Sequence, residues 1–267
     1  MASFDSNYYK QPFTLILLFL SGIILLFIIS PLIGMIIQTS TSNFFETCSD
    51  QEVQNSIKLT ISVSFLSTLF FAFFAIPFAY LLARKDFLGK GILQGIIDLP
   101  IDIPHSAAGI ALLGFLSRNT TLGKFAESIG INFVGHPLGI GVAMAFVSLP
   151  YMVNSARDGF ANVPERLEKA SLSLGASAIR TFFSISVPLA KRNIITGFIL
   201  MFARGMSEFG AVIIIAYHPM VTPVLIFDRF SSYGLENART ISVIFISISL
   251  VFFVILRFLS KDKNLKK

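Results

Sequence analysis

Charge is what this 267-residue chain has least of: 13% of its residues are Asp, Glu, Lys or Arg. A soluble domain carries about 25%, which argues against a water-soluble enzyme at the outset. Tryptophan is absent, and apolar bulk comes from 29 Phe and from aliphatics within a 54% hydrophobic composition. The single cysteine, Cys48, leaves no intramolecular disulfide and no cysteine-based zinc cluster. Three histidines, at 105, 136 and 218, are too dispersed for a metal-ligand motif. No Gly-x4-Gly-Lys-[Ser/Thr] occurs, so this chain cannot cradle ATP phosphates in a P-loop. The net charge of +6 forms no nucleic-acid-binding stripe, and no nucleic-acid partner is expected.

What is present is long apolar runs, with a mean hydropathy of +0.76. About 20 apolar residues cross a bilayer. Runs at 13–37, 59–82, 91–116, 138–153, 194–217 and 241–256 predict six spans in an all-α integral membrane protein. The first run far exceeds a signal-peptide core and has no small-x-small cleavage site after it, so it reads as a retained anchor with helix-end signals at Ser30-Pro31 and Gln38-Thr39-Ser40.

Six spans put both termini on one side. With that side cytoplasmic, fifteen basic residues lie inside: Lys10, Arg84, Lys85, Lys90, Arg157, Arg166, Lys169, Arg180, Lys191, Arg192, Arg257, Lys261, Lys263, Lys266 and Lys267. Lys58, Arg118, Lys124, Arg229 and Arg239 fall outside. This imbalance predicts cytoplasmic termini in a multi-pass protein of the cell membrane. Outside, 122–131 has the spacing of a short interfacial helix.

Residues 154–192 are the one sizeable cytoplasmic segment. Asn162 three residues before Glu165 predicts a capped helix start, and Gly175 fits the left-handed residue after its end. Val163, Leu167, Ala170 and Leu174 form an apolar stripe. A second stripe at Ile179, Phe182 and Phe183 is predicted to stop at Pro188. Amphipathicity alone suits a helix lying in the headgroup region. The alternative is a rigid lever that docks in a partner's groove.

The stretch Glu168-Lys169-Ala170-Ser171-Leu172-Ser173-Leu174-Gly175-Ala176-Ser177, followed by Ile185-Ser186-Val187-Pro188-Leu189, resembles the "EAA" loop of ABC importer permeases. Aligned on Gly175, the family's Glu-Ala-Ala falls on Lys169-Ala170-Ser171, and Glu168 stands one place earlier. The stretches 98–113, 203–219 and 223–235 are similar to the molybdate/tungstate branch of these permeases. The resemblance covers roughly 53–259, a permease core with the 13–37 anchor before it and 154–192 as coupling loop. It implies type I ABC importer architecture and a channel of two such subunits, here two copies of this chain. Two cytoplasmic ATPase subunits would hold the ATP and Mg, and an extracytoplasmic binding protein would deliver tungstate or molybdate, with sulfate the main rival. It implies no cofactor and no catalysis in this chain, and a coupling surface made of Glu165, Leu167, Glu168, Lys169, Ala170, Ser171, Leu174, Gly175 and Ala176.

Charges and prolines at membrane depth are the other candidates. Arg204 and Glu208 are four apart and share a helix face, as an internal ion pair or as part of the anion's path. Pro100 and Pro104 remove two helix donors and predict a break. Broken backbone at membrane depth must face protein or a wet cavity. That places Asp102, Ile103, Pro104 and Ser106 at a translocation path or gate, with a packing kink as the plainer reading. His105 reads as a hydrogen-bonded packing residue. A secondary transporter, the rival of a different class, would call for a second broken helix in an inverted repeat, and among the six apolar runs only 91–116 carries a proline pair.

Overall fold

The structure is a computed structural model and describes residues 12–259. Lys10, Lys261, Lys263, Lys266 and Lys267, which weigh in the charge asymmetry, lie outside the described residues. Among the described residues the regular structure is all helical, with no strand. Five helices are long and apolar enough to cross a membrane, or six if one bent pair is a single span.

The long helices are α1 (Pro12–Ile37), α3 (Gln51–Arg84), α7 (Pro137–Ala161), α10 (Val187–Met206) and α13 (Leu235–Leu259). Short helices α2 (Thr41–Ser49), α6 (Thr121–Ser128) and α12 (Thr222–Tyr233) join them, and α6 forms within the stretch expected to be a short helix. Helix α1 runs straight through Pro31 to Ile37. Pro31 is therefore not the predicted helix end, since a proline costs one hydrogen bond and membrane helices accommodate that. None of its residues is buried, and it leans on α13.

Helices α3, α7 and α10 form the centre of the bundle. Their contact surfaces are built from small residues, which let backbones approach where lipid gives no hydrophobic drive to association. On α3 the buried row is Ser56, Thr60, Ser64, Thr68, Ala72, Ala75 and Ala79. A Cβ at Gly205 of α10 would lie 2.9 Å from Ser64 Oγ, and one at Gly159 of α7 would lie 2.5 Å from Asn193 Cβ. The buried hydroxyls spend their donors on backbone: Ser64 Oγ donates to Phe202 O at 2.9 Å, and Thr60 Oγ1 to Ser56 O at 2.6 Å.

The predicted break is present. Helix α4 (Lys90–Asp102) and helix α5 (His105–Leu116) meet at 110° across Ile103-Pro104. At 1.5 Å per residue each is about 20 Å long, short of a hydrocarbon core of about 30 Å. A second break, which no proline announced, divides the run 194–217: α10 ends at Met206 and α11 (Gly210–Ile215) begins after Ser207-Glu208-Phe209.

The loop differs from its prediction in three ways. Asn154 lies inside α7, which continues to Ala161, so the connection proper is shorter than 154–192. Asn162 closes α7, its N–H donating to Asp158 O, and does not cap the next helix. That helix, α8 (Glu165–Ser173), starts after Pro164, whose extended backbone (ψ 122°) makes the turn without a side-chain cap. Finally, Pro188 stops nothing. Helix α9 (Ala178–Thr181) runs through a π turn at Phe182–Ser186 into α10, and Pro188, which has no N–H to donate, falls just after the wide turn where the bonding pattern changes.

Candidate functional site

Two clusters of polar side chains stand out, one at the crossing of the two helix breaks and one beneath α8.

At the crossing, α5 and α11 touch backbone to backbone. A Cβ at Gly109 would lie 2.9 Å from Ala211 Cα, and one at Gly210 would lie 2.7 Å from His105 Cβ. This contact brings His105, in the first turn of α5, against Glu208 in the α10–α11 break. Glu208 is 1% exposed. Its carboxylate accepts from His105 Nδ1 at 2.7 Å, from Arg204 Nη2 at 3.0 Å and from the Ala211 backbone N–H at 2.9 Å. The last bond takes up a donor freed at the start of α11, so Glu208 also replaces the helix bonding lost in the break. Arg204 Nη2 lies 2.8 Å from both His105 ring nitrogens. With the Nδ1 proton given to the carboxylate, Nε2 is the ring acceptor left for the guanidinium.

The expected Arg204–Glu208 pair is thus formed, and His105 is its third member. Sequence reading gave His105 a hydrogen-bonded packing place without finding its partners, because the pairing spans 103 residues. Ser106 is exposed one residue on, and Asp102 and Pro104 are exposed on the other flank of the bend, with Ile103 half-buried between them. These four candidates cluster at the break, outside the ion-pair network itself. Asp98, half a helix earlier, accepts from Asn154 Nδ2 of α7 at 2.6 Å, which ties α4 to the bundle.

Under α8 the expected apolar stripe does not pack inward. Only Val163, before the helix, is buried; Leu167 and Ala170 are exposed and Leu174 is 88% exposed. The residue α8 buries is a charge, Glu168, with 9% of its side chain exposed. Arg84, in the last turn of α3, binds it with both ends of a fork: Nε to Oε2 at 2.9 Å and Nη2 to Oε1 at 2.9 Å. The same Nη2 donates to Val163 O at 2.9 Å. Ser186 Oγ, from the π turn, donates to Oε1 at 2.7 Å, and Tyr80 OH to Oε2 at 3.3 Å. Burial raises the Glu168 pKa, but the hydrogen bonds from Arg84 and Ser186 and the Arg84 charge outweigh it and hold the carboxyl below its ordinary value. Phe160 and Phe182 pack edgewise or tilted around Tyr80 and close the site.

The rest of α8 faces away. Lys169 pairs with Glu165 one turn back at 2.9 Å, both exposed. Ser171 is half-buried and its hydroxyl lies 3.0 Å from that of Thr181 on α9. Gly175 takes φ +83°, as predicted, and closes the helix with its own N–H on Leu172 O and the half-buried Ala176 N–H on Ser171 O. The nine predicted coupling residues therefore split into an outward set and an inward one headed by Glu168.

Comparison with known proteins decides the family. Residues 75–263 match the family described as binding-protein-dependent transport system inner membrane component. The chain belongs to this family. The molybdate/tungstate transport system permease protein of Methanocaldococcus jannaschii is 43% identical over 241 residues, which cover 90% of this permease and 94% of that one. A probable sulfate transport system permease protein of Chlorokybus atmophyticus is 34% identical over 230 residues, covering 84% and 80%. In fold, the permease is similar to a crystal structure of a bacterial ABC transporter involved in alginate import, at a TM-score of 0.73 and 18% identity, over 98% of this chain and 99% of that one. The permease is a multi-pass inner-membrane transport component, and sequence reading had reached the same family from the loop motif.

Proposed function

We propose that this permease moves molybdate or tungstate inward as the membrane-spanning subunit of an ATP-driven importer. The observation that carries the substrate is the identity margin: 43% to a molybdate/tungstate permease against 34% to a sulfate one, each over most of both chains. Sulfate is the second reading, supported by that same 34% relative.

The proposed arrangement has six spans, the bent α4–α5 pair counting as one, and cytoplasmic termini. Residues 13–37 form the anchor, 53–259 the permease core and 154–192 the coupling loop. Two copies of the chain enclose the path. An extracytoplasmic binding protein delivers the oxyanion, and two cytoplasmic ATPase subunits holding ATP and Mg dock on α8. The exposed apolar Leu167 and Leu174 and the exposed Glu165–Lys169 pair support that docking, since a helix presenting apolar side chains to water has a face left for a partner groove. The two helix breaks support a path alongside Asp102, Ile103, Pro104 and Ser106, because irregular backbone at membrane depth needs protein or water around it.

The test is ATP hydrolysis by the reconstituted complex with its binding protein and tungstate, molybdate or sulfate at equal concentration. Stimulation by tungstate and molybdate and not by sulfate is the expected result. Stimulation by sulfate alone selects the second reading.

A further inference from the structure

We propose that Glu168 is a positioning residue: with Arg84 and Ser186 it clamps α8 to both helices through which a push on the loop reaches the membrane. This rests on the reading that α8 docks the ATPase. It assigns Glu168 a role different from the exposed coupling residues, because Glu168 is turned away from any partner.

Arg84 is the last residue of α3, Glu168 the middle of α8, and Ser186 the last residue of the π turn that leads into α10. Helices α3 and α10 both belong to the central packing of the bundle, and α10 runs on to Arg204 at the membrane cluster. Helix α8 itself is nine residues long and buries only Glu168. Of its apolar stripe only Val163, just before the helix, packs into the bundle, and Ser171 adds one hydroxyl contact with Thr181. In the clamp, one carboxylate takes a forked guanidinium and a hydroxyl, a geometry that fixes orientation as well as distance. The π turn contributes directly. Its wide turn, with the Val187 N–H on Phe182 O, inserts an extra residue before α10 and leaves Ser186 fully buried within reach of Glu168. A force applied to the outer face of α8 is thereby delivered to α3 and α10 together.

The test uses the whole complex of permease, ATPase and binding protein in lipid vesicles. In Glu168→Gln the ATPase stays bound, and stimulation of ATP hydrolysis by tungstate-loaded binding protein falls at least tenfold. In a Cys48→Ser background, Arg84→Cys with Glu168→Cys behaves the same way until a short bis-maleimide bridges the two positions, which restores stimulation. Full stimulation in Glu168→Gln, or in the unbridged double variant, overturns the clamp. Loss of bound ATPase in both the bridged and the unbridged protein overturns it too, because Glu168 then belongs to the docking surface. The underlying docking reading is tested separately by Leu167→Glu with Leu174→Glu: an ATPase that remains bound to that variant refutes docking on α8, whatever Glu168 does.

Discussion

Glu208 and Arg204 differ in burial, and that asymmetry sets the size of each mutation's effect. Glu208 is 1% exposed, whereas a quarter of the Arg204 side chain reaches open space. Breaking a buried pair from one side typically costs about 3–5 kcal/mol, because the survivor's charge is left uncompensated. Arg204→Met leaves a fully buried carboxylate. Its two remaining donors, His105 and the Ala211 N–H, soften the loss, so the cost falls near the low end, about 3 kcal/mol. Glu208→Gln keeps an acceptor for the Ala211 N–H and turns its NH2 toward His105 Nδ1, which becomes the ring acceptor; the Arg204 cation it leaves unpaired is partly exposed, so the cost is about 1–2 kcal/mol. Arg204→Met with Glu208→Leu removes both charges, and it recovers much of the stability and transport that Arg204→Met loses. Thermal unfolding in detergent and uptake in vesicles on the two singles and the double measure this. The opposite reading makes Arg204 an attractor for the anion. A double variant that folds like wild type yet fails to transport, beside a mild Glu208→Gln, refutes the structural account of the pair.

Three further outcomes are expected. Gly175→Val puts a β-branched residue at φ +83°, a strain of about 1–2 kcal/mol or more, and uncouples ATP hydrolysis from loaded binding protein; Gly175→Asn, which tolerates that backbone, retains coupling. Single cysteines replacing Ile103 or Ser106 in Cys48→Ser react with a water-soluble maleimide to an extent that changes when ATP is added, and no reaction in any state removes the break from the path. The lowered Glu168 pKa means that its anchoring is complete above the ordinary value of 4.5 and drains away as pH falls through the lowered one. A spin label at Leu172 (Leu172→Cys in Cys48→Ser) therefore stays fixed down to pH 4.5 and loosens as the pH is taken progressively below it, and Glu168→Gln abolishes that change.

Features carried by composition or by a local pattern were legible in the sequence. Apolar runs placed the long helices because membrane thickness fixes their length. Pro100 and Pro104 announced the first break because a missing N–H is a property of the residue itself. Gly175 announced its own left-handed backbone. What stayed hidden depends on partners far along the chain. The second break has no proline; it is sustained by Glu208 capping Ala211 from within the gap, and the only local hints were Gly205 and Gly210 on either side. Glu168 was read as one of the coupling residues, but its inward turn stayed hidden because its partner is 84 residues away. The Asn162-x-x-Glu165 pattern misled for a different reason: Asn162 was already used in closing α7, and Pro164 turned the chain into α8 instead. The Leu167–Leu174 stripe faces away from the bundle, as both the headgroup and the partner-groove readings of it require, and periodicity alone does not choose between them.

The central claim is that this chain is a conduit for an oxyanion driven by ATP on another subunit. It is tested most directly by tungstate uptake into vesicles containing the complex, with loaded binding protein outside and ATP with Mg inside. The account predicts accumulation that requires the enclosed ATP, survives collapse of proton and sodium gradients, and is competed by molybdate. Accumulation without ATP that stops when the ion gradient is collapsed contradicts it.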